Sequence, residues 1–71
     1  MKTLDLHGVK HQDVGRALDI FLWEHIQRRS DCVVIITGHS RAMKSLVNDI
    51  AEEYGLRYHE MLNPGSVLLE F

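Results

Sequence analysis

The stretch Cys32-Val33-Val34-Ile35-Ile36-Thr37-Gly38-His39-Ser40 carries the decision about the fold. Val33 to Ile36 is an unbroken β-branched run of strand length, which suits a strand that is central in a sheet or buried on both sides. Thr37-Gly38 marks its carboxyl end. Ser40 is a good N-cap for a helix that places Met43, Leu46, Val47, Ile50 and Tyr54 inward, carries Lys44, Asn48 and Glu52 on its polar face, and stops at Gly55.

Upstream, Thr3 to His7 reads as a first strand ended by Gly8, with Leu4 and Leu6 on one face and Asp5 and His7 on the other. From Gln12 to Arg29, the residues Val14, Ala17, Leu18, Phe21, Leu22 and Ile26 recur at helical spacing. Asp13 comes early and Arg28 and Arg29 late, the charge order that a helix dipole favours. Downstream, Leu56 to Leu62 alternates as a third strand, Asn63-Pro64-Gly65 reverses the chain, and Val67 to Phe71 supplies a fourth. The order βαβαββ gives an α/β, two-layer open sandwich: a four-stranded mixed sheet with two helices, its first two strands parallel and joined right-handedly. The parity of Asp5 and His7 turns them away from the helix-covered face. No repeat, low-complexity run or linker interrupts the chain, so residues 1–71 read as a single domain.

The formal net charge of −2 argues against a protein that coats DNA through bulk electrostatics, so any nucleic-acid contact must be local. Cys32, the only cysteine, excludes an intrachain disulfide and, preceding the apolar run, reads as a buried thiol. The residues Met1 to Asp5 contain no apolar stretch of signal-peptide length, and no segment approaches the run needed to cross a bilayer. The expectation is a cytoplasmic protein with no membrane partner.

In an open α/β sheet the carboxyl ends of strands and the amino ends of helices share one edge. Leu4-Asp5-Leu6-His7-Gly8 and Thr37-Gly38-His39-Ser40 can therefore converge on one ligand. Phosphodiester cleavage needs a base, an acid and donors for the developing charge. His7 suits proton transfer, with Asp5 placed to orient it, and His39 offers a second imidazole. The second helix carries Arg41 and Lys44 at its amino end and Glu52 and Glu53 at its carboxyl end. Against the dipole each misplaced charge costs about 0.3–1 kcal/mol, which a bound anion would offset. Thr37, Gly38, His39, Ser40, Arg41 and Lys44 thus read as a candidate phosphate cradle. Blander roles compete: His7 as a strand terminator, Asp5 as an acceptor for turn amides, Arg41 and Lys44 as solvated cations. One aspartate and scattered histidines lack the ligand spacing of structural zinc, and no metal-binding residue is assigned. No cofactor is specified, although magnesium held by Asp5 and substrate phosphates is compatible with the sequence.

Leu4-Asp5-Leu6-His7-Gly8 reproduces the LDLHG signature of the Smr, or small MutS-related, domain, and the chain resembles that family over essentially its whole length. The helix bearing Ala17, Leu18, Phe21 and Leu22 looks like the family's first helix, and Asn63 to Leu69 is similar to its glycine turn and closing strand. Thr37-Gly38 fits the start of the second signature, HGxG or TGxG, with Ser40 in place of its second glycine. The resemblance implies a fold related to the C-terminal domain of bacterial translation initiation factor three, an association with RNA or DNA, and nuclease activity. It implies an endonuclease or nicking enzyme with Asp5 and His7 in the catalytic signature, Gly8 beside them, and Thr37 and Gly38 in the second loop. A serine hinders close backbone approach to a phosphate, while its hydroxyl offers a replacement hydrogen bond. The alternatives are a nucleic-acid-binding module without chemistry, and a protein-interaction adaptor working through Trp23 and the first helix.

Overall fold

The computed structural model describes residues 2–71. The chain runs β1 (Lys2–Asp5), α1 (His11–Gln27), β2 (Cys32–Ile36), α2 (Arg41–Glu53), β3 (Arg57–Glu60) and β4 (Ser66–Glu70). The sheet order is β1-β2-β4-β3. β2 lies parallel to β1 and antiparallel to β4, which is antiparallel to β3. The expected βαβαββ order and mixed four-stranded sheet are present, with the β-branched run on an interior strand.

The register explains which residues form the core. Leu4, Ile35 and Val67 fall in one cross-strand row and Val33, Leu69 and Tyr58 in the next. These rows pack against Val14, Leu18 and Leu22 of α1 and Met43, Val47 and Ala51 of α2. Each fully buried aliphatic side chain is worth about 1.5–3 kcal/mol, so a chain this short gains most by concentrating them between one sheet face and two helices. The other face carries Thr3, Val34, Leu68 and His59 in a row. β2 is accordingly one-sided: Val33 and Ile35 are buried while Cys32, Val34 and Ile36 are half-buried. The Cys32 thiol is therefore not buried, because it shares the open face with Glu70 and Arg57.

Several boundaries differ from the sequence reading, each for a local reason. β1 ends at Asp5 rather than His7, because Asp5 Oδ1 accepts the His7 amide at 2.9 Å and turns the chain. α1 stops at Gln27; Arg28 caps it and pairs with Glu24 at 2.8 Å, and Arg29 adopts φ 55°. Ile26 points to solvent and His25 takes the inward place, 3% exposed, its Nδ1 2.9 Å from Ser30 Oγ and its ring 4.5 Å from Phe21. β3 is shorter than expected because Met61 and Leu62 leave the sheet, Leu62 fully exposed. On α1 the large side chains of Ile20 and Trp23 face solvent.

Candidate nucleic-acid interface

Parallel pairing of β1 and β2, with Asp5 opposite Ile36, brings the two loops to one sheet edge. There they touch. Gly38 has φ +67°, and a Cβ built on it would lie 2.9 Å from Cδ2 of the His7 ring. Only glycine gives both that backbone conformation and that approach. The contact uses a ring carbon, so the His7 nitrogens stay free: the side chain is exposed, and neither nitrogen has a hydrogen-bond partner among the described residues.

Asp5 does not orient this imidazole. Its carboxylate accepts the backbone N–H of His7 and shapes the loop, as an aspartate commonly does in a turn. Gly8 follows with φ +84°.

The second loop spends part of its hydrogen-bonding capacity on a third segment, the turn between β3 and β4. The amides of Thr37 and Gly38 both donate to Gly65 O, at 2.9 and 3.0 Å. The Thr37 hydroxyl, buried, donates to Gly38 O at 2.8 Å and lies 3.4 Å from Gly65 O. These two amides are consequently not free for a phosphate, contrary to the sequence expectation. The turn is itself braced: Asn63 Oδ1 accepts the Gly65 amide at 2.9 Å. His39 is exposed, and a Cβ on Gly65 would meet its ring at 3.5 Å. From sequence Asn63-Pro64-Gly65-Ser66 reads as a chain reversal similar to the family's glycine turn; the three loops packing together make it part of the site.

Ser40 is the N-cap of α2, its Oγ accepting the Met43 amide at 3.1 Å. The amides of His39, Ser40, Arg41 and Ala42 have no hydrogen-bond partner among the described residues, so the amino end of α2 keeps an open donor set.

The two cations fare differently. Lys44 is 8% exposed rather than on a solvated face, its Nζ donating to Pro64 O and lying 4.0 Å from Glu60 Oε1. Its charge serves the turn. Arg41 is exposed and reaches the same Glu60 oxygen at 3.4 Å. The reversed charge order of α2 is thus partly compensated by one carboxylate from β3. An exposed pair of this kind is worth only about 0–1 kcal/mol, so Arg41 is readily recruited by another anion.

Among the described residues no three His, Cys, Asp or Glu side chains gather to hold a metal ion, and no helix is long and apolar enough to cross a membrane. Neither a curated protein nor a solved structure matches the chain. The family model of the Smr domain does, over residues 4–63, from within β1 into the turn between β3 and β4, whose Gly65 lies just beyond the matched stretch. A match of that length, on a chain whose two signature loops meet at His7 and Gly38, means that this protein belongs to the Smr domain family.

Proposed function

We propose that this Smr domain binds RNA or DNA by seating one backbone phosphate at the amino end of α2, and that it cleaves a phosphodiester there with His7 moving the proton. The observation that supports this best is the exposed His7 imidazole resting on Gly38, beside four amides without a partner among the described residues. In this reading His7 takes the proton from the nucleophile, a water or in RNA the 2′-hydroxyl, as its oxygen bonds phosphorus, and His39 gives a proton to the ester oxygen that leaves as the P–O bond breaks. The amides of His39 to Ala42 and the guanidinium of Arg41 bond the charge that develops on the phosphorus oxygens. Gly8, Thr37 and Gly38 act by conformation, and Lys44 by holding the turn. Asp5 has one oxygen unengaged by the described residues, on which a magnesium ion could rest while water and phosphate complete its shell.

A binding module without chemistry is the second reading, favoured by the Thr37 and Gly38 amides being committed to Gly65 and by Asp5 bonding a backbone amide instead of the ring. One experiment separates the two. Labelled single-stranded RNA and supercoiled DNA are incubated with wild type and His7→Ala, with and without magnesium, and binding is measured in parallel. Cleavage lost in His7→Ala with binding retained is the expected result. Binding by a wild type that never cleaves selects the module; failure to bind either nucleic acid refutes both. A single seated phosphate also predicts a log–log salt slope of about −0.7 to −0.9, and a slope several times steeper would overturn the local cradle.

A further inference from the structure

A groove opens between α2 and the edge strand β3, outside the loop cluster but sharing Arg41 with it. It is lined by Arg41, Lys44, Ser45, Asn48, Tyr58 and Glu60 and offers about 440 Å³ of space open to solvent. That volume falls in the range of about 300–1,000 Å³ typical of small-molecule sites. Tyr58 pairs with Leu69 and Glu60 with Val67, so both belong to the helix-covered face, at the margin that α2 approaches. Tyr58 is therefore half-buried, packing against the core while also lining the groove.

The chemistry of the lining rejects a phosphate and suits a base. Lys44, the cation set deepest, is committed to Pro64 O, and the Glu60 carboxylate repels anions. Beside the Tyr58 ring, Asn48 offers both a donor and an acceptor, and so does the Ser45 hydroxyl. Glu60 directs Oε1 to both Arg41 and Lys44, while Oε2 has no partner among the described residues. An unspent carboxylate oxygen accepts from the exocyclic amino group of adenine, cytosine or guanine and finds no such donor on uracil or thymine. Arg41 is the first residue of α2, so the groove begins where the open amides end.

We propose that this groove receives one unstacked base of a single-stranded nucleic acid, stacked on Tyr58 and read by Glu60 and Asn48, with amino-bearing bases preferred over uracil and thymine. The inference rests on the nucleic-acid reading of the loop cluster and adds a base-selective subsite to it. Aromatic stacking supplies sequence-tolerant affinity, and the carboxylate supplies the preference.

The test has two arms. In the first, isotope-labelled protein is titrated with adenosine monophosphate and with ribose 5-phosphate, followed by NMR. The nucleotide is expected to shift Ser45, Asn48 and Tyr58 together with His39 to Ala42, and the sugar phosphate only the latter group. Identical shift patterns from both ligands would overturn the base site. In the second, affinity for adenine-rich and uracil-rich RNA oligonucleotides is measured for wild type, Tyr58→Leu, Tyr58→Phe and Glu60→Gln. Tyr58→Leu should weaken binding of the adenine-rich strand about fivefold to 100-fold, while Tyr58→Phe, which keeps the ring, stays close to wild type. Glu60→Gln should narrow the adenine-over-uracil ratio. If wild type binds these strands and Tyr58→Leu binds them equally well, the groove inference fails and the loop-cluster reading stands; if wild type binds no strand at all, both fall.

Discussion

Replacing Gly38 with alanine tests whether the meeting of the two loops matters, and the structure supplies the size of each effect. At φ +67° an L-residue sits in the left-handed region, which costs about 1–2 kcal/mol. The added Cβ would lie 2.9 Å from His7 Cδ2. Carbon atoms prefer about 3.5–4.0 Å, so the ring must retreat by roughly 0.6–1 Å. Because His7 is exposed, that retreat is cheap in stability and the strain dominates. Gly55 provides a matched control, with φ +72° and nothing within 4 Å of an added Cβ. Gly38→Ala and Gly55→Ala should lose similar stability in urea unfolding, and each 1 kcal/mol should lower Tm by about 4–8 °C. Only Gly38→Ala should shift the His7 ring resonances and reduce cleavage, by up to about 100-fold for an ångström of misplacement at the reacting centre. If the two variants are indistinguishable at His7 and in cleavage, the convergence of the loops plays no part in function. If Gly38→Ala loses no stability, the conformational argument itself is wrong.

Ser40 caps α2, so Ser40→Ala should cost about 1 kcal/mol in chemical denaturation while Ser40→Gly, which restores the residue usual in the family signature, costs only a few tenths. Equal losses would show the cap to be idle. Tyr54 donates its hydroxyl to Asp19 at 2.9 Å, and burial, this bond and the Asp19 charge raise its pKa above the ordinary 10.0. As pH climbs past that value the unfolded chain releases the proton first, so stability present at neutral pH is lost towards the raised folded pKa. Tyr54→Phe should flatten part of this alkaline decline in urea midpoints, leaving the share due to Tyr58, whose pKa burial also raises; an unchanged decline would refute the linkage.

What the sequence disclosed and what it concealed divide by distance along the chain. The β-branched run Val33 to Ile36, the Ser40 cap and the glycines after the first two strands act through bonds to near neighbours, so pattern and turn chemistry were enough to place them. The Asp5 interaction is equally local, but two outcomes compete for one carboxylate, and spacing does not tell an amide acceptor from a partner of the imidazole. His25 and Ile26 exchanged places because hydropathy alone ranks isoleucine inward, whereas the Ser30 hydroxyl and the tilted ring of Phe21 accommodate a buried imidazole. Lys44 and Gly65 were misread for a different reason. Their roles depend on the pairing of β3 with β4, which folds Pro64 onto a lysine 20 positions earlier and Gly65 onto a threonine 28 positions earlier. No periodicity within α2 could announce a carbonyl brought in from that far.

In the proposed reading, the same long-range bonds would give an acidic chain a way to hold nucleic acid selectively. Gly65 O fixes Thr37 and Gly38, Pro64 O fixes Lys44, and Glu60 screens both Arg41 and Lys44. With Arg41 and Lys44 engaged in this manner and a net charge of −2, the protein offers little to a distant polyanion. In the proposed complex a phosphate at the open amides of α2 competes for Arg41, and the pair it breaks is an exposed one worth about 0–1 kcal/mol. Glu60, released from Arg41, then keeps only the 4.0 Å approach of Lys44 to Oε1 and faces the groove with less of its charge engaged. Phosphate seating and base reading would draw on one carboxylate, so the two should be coupled. Glu60→Gln should therefore strengthen binding of a bare sugar phosphate while weakening the distinction between bases, a combination that independent sites would not produce.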